Sequence, residues 1–282
     1  MKIFLVMIIS LSVLCSKEPP DSLNPKRLIA LTGLTAAGFT VSQIIQYDVY
    51  WSDRSNFSVM DLKTEYKDAL LADKGGHYFI SYAMSKTYAK ALEWTGLNKN
   101  STVWFGAGAS LIHQTYVEVN DGFSEGEVYL GFSIGDMFAN IGGAAWPVAQ
   151  HYYPVLEEIN FKINFNKSVN YNLKGYENIS NDYESTYHWA TIDILDLLNL
   201  NKGPQGMLQL AIGHSVKNID RLGKGYHEFY LGMDINWKHL LNYKFVKNNY
   251  YLQLLVEVLD KYRFPLPSLR ISPNVTFYGF QR

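Results

Sequence analysis

Asp73 and His77 stand four residues apart in Asp73-Lys74-Gly75-Gly76-His77, a spacing that puts both on one face of a helix. A carboxylate beside an imidazole is acid–base chemistry: the acid orients the ring and the ring carries the proton. Further along, Glu118-Val119-Asn120-Asp121-Gly122-Phe123-Ser124 adds two carboxylates, and Asp136 and Asn140 are again four apart in an otherwise apolar stretch. Brought together by helices, His77, Glu118, Asp121 and Asp136 make either an acid–base site for hydrolysis or group transfer, or a ligand set for a divalent metal. The same groups also make a buried polar network. In it Asp73 caps its helix, Lys74 pairs with Asp136, His77 holds the Glu118 segment, and Ser124 and Asn140 complete the hydrogen bonding. No spacing here is diagnostic of catalysis, so the network is the simpler expectation, with no cofactor and no metal. His113, on an apolar helix, and His151, at a helix end, suit packing or capping, while His188, His214, His227 and His239 are scattered without ligand spacing. The chain has no P-loop, dinucleotide-binding glycine turn, Gly-x-Ser-x-Gly elbow or His-Glu-x-x-His.

The elements that must position these residues are helical up to about Pro154. Leu28 to Tyr47 is uncharged and long enough to cross a bilayer, though its Thr, Ser and Gln residues suit a buried or interfacial helix equally well. A second helix is expected over Lys74–Trp94, closed by Gly96, and a third over Thr102–Val117, with Glu118 to Ser124 following it. A fourth is expected from about Val128 to Trp146, stopped by Pro147. The last two are rich in Gly and Ala, and Gly131 and Gly135 form a small-xxx-small pair that lets helices approach closely. Lys86 and Lys90 argue against membrane insertion of the second helix.

After Pro154 the period changes to two. Phe161 to Asn166, Gly206 to Val216, and above all Phe229, Leu231, Met233, Ile235 and Trp237 alternating with Glu228, Tyr230, Gly232, Asp234 and Asn236 mark strands with one buried face. Asn274 to Phe280 reads as a last strand, and Tyr187–Leu200 and Tyr250–Lys261 read as helices. Four or five strands fall short of the eight of the smallest membrane barrels. The expected fold is therefore α+β: an N-terminal bundle of about four helices (22–154), then an antiparallel sheet region with one or two helices (155–282), with a small barrel as the lesser alternative.

Residues 1–16 have the form of a cleavable export signal. Lys2 precedes an apolar run from Ile3 to Leu14, too short to span a bilayer as a helix, and a polar, proline-rich stretch follows. Cys15, the only cysteine, sits where a bacterial lipoprotein carries its lipid, although Leu14 is larger than the residue such sites prefer; simple cleavage near Ser16 is the other reading. The mature fold then has no disulfide and no cysteine-based zinc site. With a net charge of −1 and no basic run, nucleic acid is not an expected partner; an aromatic content of 15% suits a membrane or lipid surface, or simply an aromatic-rich sheet.

The blocks Asp73-Lys74-x-x-His77, Glu118-x-x-Asp121-Gly122-Phe123-Ser124 and Gly131-Phe132-Ser133-x-x-Asp136-x-x-x-Asn140-x-x-Gly143 resemble the YfiM-like family of predicted periplasmic lipoproteins, over roughly residues 28–155. That resemblance implies a place in the bacterial envelope and no activity. The order Asp-Lys-x-x-His, Glu, Asp-x-x-x-Asn-x-x-Gly is more loosely similar to the VanZ-like membrane family, which implies an integral helical bundle acting on an envelope amphiphile. The expectation is an exported, periplasm-facing protein, anchored to or embedded in a membrane, with outer-membrane association and a structural role. Its rival is a membrane-associated hydrolase or transferase of lipid or cell-wall material, using His77 with Glu118, Asp121 or Asp136.

Overall fold

The computed structural model describes residue 20 and residues 22–124, 131–169, 171, 182–200, 203–220 and 223–281. The expected signal segment with Cys15, and the expected helix start at Val128, lie outside the described residues. The architecture is α+β, with four long helices followed by a six-stranded antiparallel sheet and a few short helices. Two compact units divide it: Met1–Glu65 with Ile80–His151, which is helical, and Tyr66–Phe79 with Tyr152–Arg282, which holds the sheet.

In the helical unit, α1 (Pro25–Gln46) begins where Asn24 Oδ1 accepts the N–H groups of Lys26 and Arg27 and proline takes the first helical position. The short α2 is Leu62–Lys67 and α3 is Ala72–Glu93, followed by Gly96 at φ +89. Asn98 caps α4 (Lys99–Gly122) through the N–H of Ser101, and α5 is Ile134–Tyr152.

Three expectations are corrected here. Glu118 and Asp121 lie inside α4, because the helix continues through Asn120 for another turn beyond Val117. Gly131 precedes α5, so it shares no helix face with Gly135; its neighbour Phe132 instead bridges to Val59 as extended chain. Pro147 is buried within α5 without ending it. The residue one turn back is Gly143, which has no side chain to crowd the ring, and the lost backbone bond is offset by packing of Ala144 and Val148 on Val103 and Ala107 of α4. Gly106 permits a similarly close approach, since a Cβ there would lie 2.6 Å from the carbonyl oxygen of Ser85 on α3.

The sheet unit runs in simple meander order: β1 (Ile159–Phe165), β2 (Thr186–Ile192), β3 (Leu208–Lys217), β4 (Tyr226–Ile235), β5 (Leu266–Ser272) and β6 (Thr276–Gln281). Two strands depart from the expectation. Tyr187 to Ile192 is strand rather than helix: Tyr187, Trp189 and Thr191 all point to one face, and only a short helix α6 (Ile194–Leu197) follows. β5 was hidden by Pro265 and Pro267, residues that normally argue against a strand. The expected helix over Tyr250–Lys261 is present as α8 (Tyr250–Leu259), after the one-turn α7 (Lys244–Lys247).

The strands alternate as anticipated, but the buried face is the polar one. In register across the sheet, Lys162, Trp189, Gly213, Tyr230, Arg270 and Thr276 form an inner row. One step along, Phe161, Ala190, Ile212, Leu231, Leu269 and Phe277 form an outer row with no charge in it. The sheet curls sharply about the inner row. Lys162 on β1 reaches Asp234 on β4 at 2.8 Å, although three strand spacings in a flat sheet amount to about 14 Å. The far edge of β1 is met by the chain entering β5: Ile163 N–H donates to the carbonyl of Lys261 and Arg263 N–H to that of Ile163. Gly213 leaves room for the Trp189 ring, which a Cβ would strike at 2.5 Å, and Arg263 lies 3.9 Å from the centre of that ring.

Candidate functional site

The residues singled out by their chemistry fall into both units. Asp73, Lys74 and His77 stand on the first two turns of α3, within the sheet unit. His77 Nε2 is 3.7 Å from Asp73 Oδ1, Lys74 Nζ is 3.7 Å from Asp73 Oδ2, and the Tyr183 hydroxyl donates to Asp73 Oδ1 at 2.8 Å. The spacing argument therefore holds: the acid and the imidazole share a helix face, with the tyrosine fixing the acid. Asp73 lies inside the helix and is not its N-cap. Beside them Gly75 lies against the ring of His188, whose Nδ1 would be 2.8 Å from a Cβ at that position.

Glu118, Asp121, Ser124, Asp136 and Asn140 belong to the helical unit. Their centre is a residue passed over as a site in the sequence, Ser133, which precedes α5. Its hydroxyl accepts the N–H of Asp136 at 2.9 Å and donates to Glu65 Oε1, and its own N–H donates to Glu118 Oε2 at 3.4 Å. Glu65 Oε1 also takes the N–H of Gly135 at 2.5 Å. Two carboxylates from α2 and α4 thus sit on the first turn of α5, where free N–H groups and the helix dipole favour negative charge. Glu118 is 1% exposed and Asp136 and Glu65 are 5% exposed, so these acids are sealed from bulk water.

One turn further, Asn140 Oδ1 accepts from the Ser81 hydroxyl at 2.9 Å and from Gln114 Nε2 at 3.3 Å. The Ser110 hydroxyl donates to the carbonyl of Ser81, and that of Ser85 to the carbonyl of Ala144. A seam of small hydroxyl residues therefore ties α3, α4 and α5 together. Asp121 accepts the Trp51 indole N–H at 2.6 Å, and the Ser124 hydroxyl turns back to the carbonyl of Asn120, whose side-chain oxygen takes Arg54 at 2.8 Å. These contacts fasten the loop after α1 to the end of α4.

Sequence reasoning missed Glu65, Ser133, Ser81, Gln114 and Trp51. Ser133-Ile134-Gly135-Asp136 does carry the Ser-x-x-acid signature of a helix start, so Ser133 was findable as a cap. Glu65 was not, because nothing local separates one acid in Leu62–Lys67 from its neighbours.

A family model described as "Predicted periplasmic lipoprotein (DUF2279)" matches residues 63–151, less than a third of the chain. The matched segment runs from α2 to the end of α5 and contains Glu65, Asp73, His77, Glu118, Ser133, Asp136 and Asn140. No curated protein and no solved structure matches the chain.

Proposed function

We propose that the chain is an exported cell-envelope protein on the periplasmic side, held at a membrane and structural rather than catalytic in role. The observation that carries this reading is α1. It has no charge from Leu28 to Gln46, and its 22 residues are about 33 Å long, the thickness of a hydrocarbon core. It packs one face on the helical unit, where Phe39 meets the rings of His113 and Tyr116 edge-on, and leaves Ile29, Leu34, Val41, Ile44 and Ile45 exposed. A core helix of a water-soluble protein would bury those residues.

The family matched over residues 63–151, one of predicted periplasmic lipoproteins, supports this placement, as does the YfiM-like pattern of the Asp73, Glu118 and Asp136 blocks. Cys15 offers a second attachment, through a lipid chain, and outer-membrane association is part of this proposal. The acids of the helical unit favour structure over catalysis: Glu118 and Glu65 are spent on the first turn of α5, and a general base must be reachable by its substrate.

Fractionation of the full chain tests the reading. The protein should sediment with membranes and resist carbonate extraction, and Leu34→Lys with Val41→Lys should release it, in full or down to the share retained by Cys15. Release by Cys15→Ala alone would assign attachment to the lipid and not to α1. Recovery of the unaltered protein in the soluble periplasmic fraction would overturn the proposal.

A further inference from the structure

We infer that the outer face of β3 to β6 is itself immersed in the hydrocarbon of a lipid bilayer; this rests on the membrane reading above but not on α1. The exposed side chains there include Leu208, Ile212, Phe229, Leu231, Met233 and Phe277, the last 70% exposed. None of the outward positions of these four strands carries Asp, Glu, Lys or Arg. Where the outer face is covered, the sheet unit covers it with its own chain. Tyr78 packs edge-on against Phe161, Gly75 lies on His188, and Ala69 and Ala72 sit on Val216. That cover takes the Val216 end of β3 and leaves the rest of the β3–β6 face open.

The opposite face decides what the occupant is. Lys162, wholly buried, pairs with Asp234 at 2.8 Å and Asp260 at 3.2 Å. Glu228, also buried, binds the Arg270 guanidinium at 2.5 Å and the Tyr230 hydroxyl at 2.6 Å. Taking such ions out of water carries a heavy desolvation cost before pairing offsets it. A sheet in water lowers its free energy by turning the alternation round, apolar side in and charged side out. A sheet clamped between protein layers is apolar on both faces. Charge inside and no Asp, Glu, Lys or Arg outside, where His214 and His227 bond to each other at 2.9 Å, is the arrangement that hydrocarbon selects, because there the exterior is the place a charge costs most. β3 and β4, two of the four strands, have 10 residues each, which is the length a tilted strand needs to cross a membrane.

The test uses the full chain with Cys15→Ala and single cysteines at Ile212, Leu231 or, as a water-facing control, Val169, which is 95% exposed. Each is labelled with an environment-sensitive fluorophore and reconstituted in phosphatidylethanolamine/phosphatidylglycerol vesicles with or without chain-labelled doxyl lipid. The labels at 212 and 231 should emit to the blue and lose most of their intensity to doxyl chains, while that at 169 stays red and is quenched by aqueous iodide. Iodide quenching at 212 and 231 in vesicle-bound protein would overturn the inference and leave the α1 reading intact. Doxyl quenching that survives Leu34→Lys with Val41→Lys would support the inference even if α1 proves dispensable. A blue-shifted label untouched by doxyl lipid, with cross-linking between copies, would assign the face to a second protein and overturn it equally.

Discussion

The two units bury polar groups by opposite means. The helical unit brings backbones together at small residues and fills the seam with neutral hydrogen bonds: Ser81 and Gln114 to Asn140, Ser110 to Ser81, Ser85 to Ala144. Its buried acids are set on a helix end, where N–H groups receive them. The sheet unit encloses full ion pairs, Lys162 with Asp234 and Asp260, and Arg270 with Glu228. A helix satisfies its own backbone, so a bundle needs only occasional polar contacts between helices. A curled sheet must fill an interior with every second side chain, and with its aliphatic residues facing outward that interior holds Tyr187, Trp189, Ala211 and Tyr230 together with polar and charged groups.

That contrast predicts unequal costs for removing one polar partner. Lys162→Met leaves Asp234 and Asp260 buried beside each other without their shared cation, and should cost about 3–5 kcal/mol in denaturant unfolding in detergent. Adding Asp234→Asn should recover part of the loss. A cost below about 1 kcal/mol would show that water reaches the interior and that the sheet unit is less closed than its side-chain burial implies. Asn140→Ala in the helical unit strands a serine hydroxyl and a glutamine amide, both neutral, and should cost about 1–3 kcal/mol by the same measurement. If the asparagine proves the more expensive of the two, the contrast fails.

How much of this was legible in the sequence differs between the units in the same way. Caps, glycines and apolar spacing placed α1 and α3 to within a few residues, because helix signals are local, but α4 runs five residues past its expected end at Val117 and α5 six past its expected end at Trp146. The Asp73–His77 face also followed from spacing alone. The Ser133 centre did not, because Glu65 and Glu118 reach it from separate helices. In the sheet, alternation correctly located β3 and β4 but carries no label for which face is inside: Phe229, Leu231 and Met233 give the same period whether the apolar side meets a core or a membrane. β2 was misread because Leu195, Leu197 and Leu198, just past it, extended an apparent helix backward over Tyr187 to Ile192. Only the pairing of Lys162 with Asp234, distant in sequence, reveals the inversion.

A pH profile sharpens the comparison at the rim of the sheet unit. Burial raises the Glu158 carboxyl from its ordinary 4.5 to about 7; a hydrogen bond with Asp196 and the charges of Asp196 and Asp193 add to the rise, and Lys238 opposes it. A folded-state pKa above the unfolded one means that the folded chain binds the extra proton between these values. Its contribution is therefore present in full below about 4.5 and is lost as pH climbs through about 7. Asp196→Asn removes the negative neighbour and should flatten that slope in unfolding measured from pH 5 to 8. An unchanged slope would remove Asp196 as a cause.

The smallest expected effect lies in the segment that the sheet unit draws from the helical half of the sequence. Between α2 and α3, Ala69, Leu70 and Leu71 hold φ values of +43, +51 and +64, left-handed backbone that costs a side chain about 1–2 kcal/mol per residue. Ala69 is buried against Ala72 and Val216, and Leu70 packs on the same cluster, so their positions are fixed by contacts that outweigh the strain. Leu71 is 39% exposed and contributes less packing. Leu71→Gly should therefore relieve strain and lose little else. Glycine's extra freedom in the unfolded chain returns about 0.4–1 kcal/mol of that gain, which leaves a net stabilisation of about 0.5 kcal/mol. Leu71→Ala keeps the strained backbone and should give no gain, which separates relief of strain from the mere loss of an exposed leucine. A loss with glycine would mean that Leu71 packs as firmly as its two neighbours, and that the whole left-handed step is held by the sheet unit's own contacts.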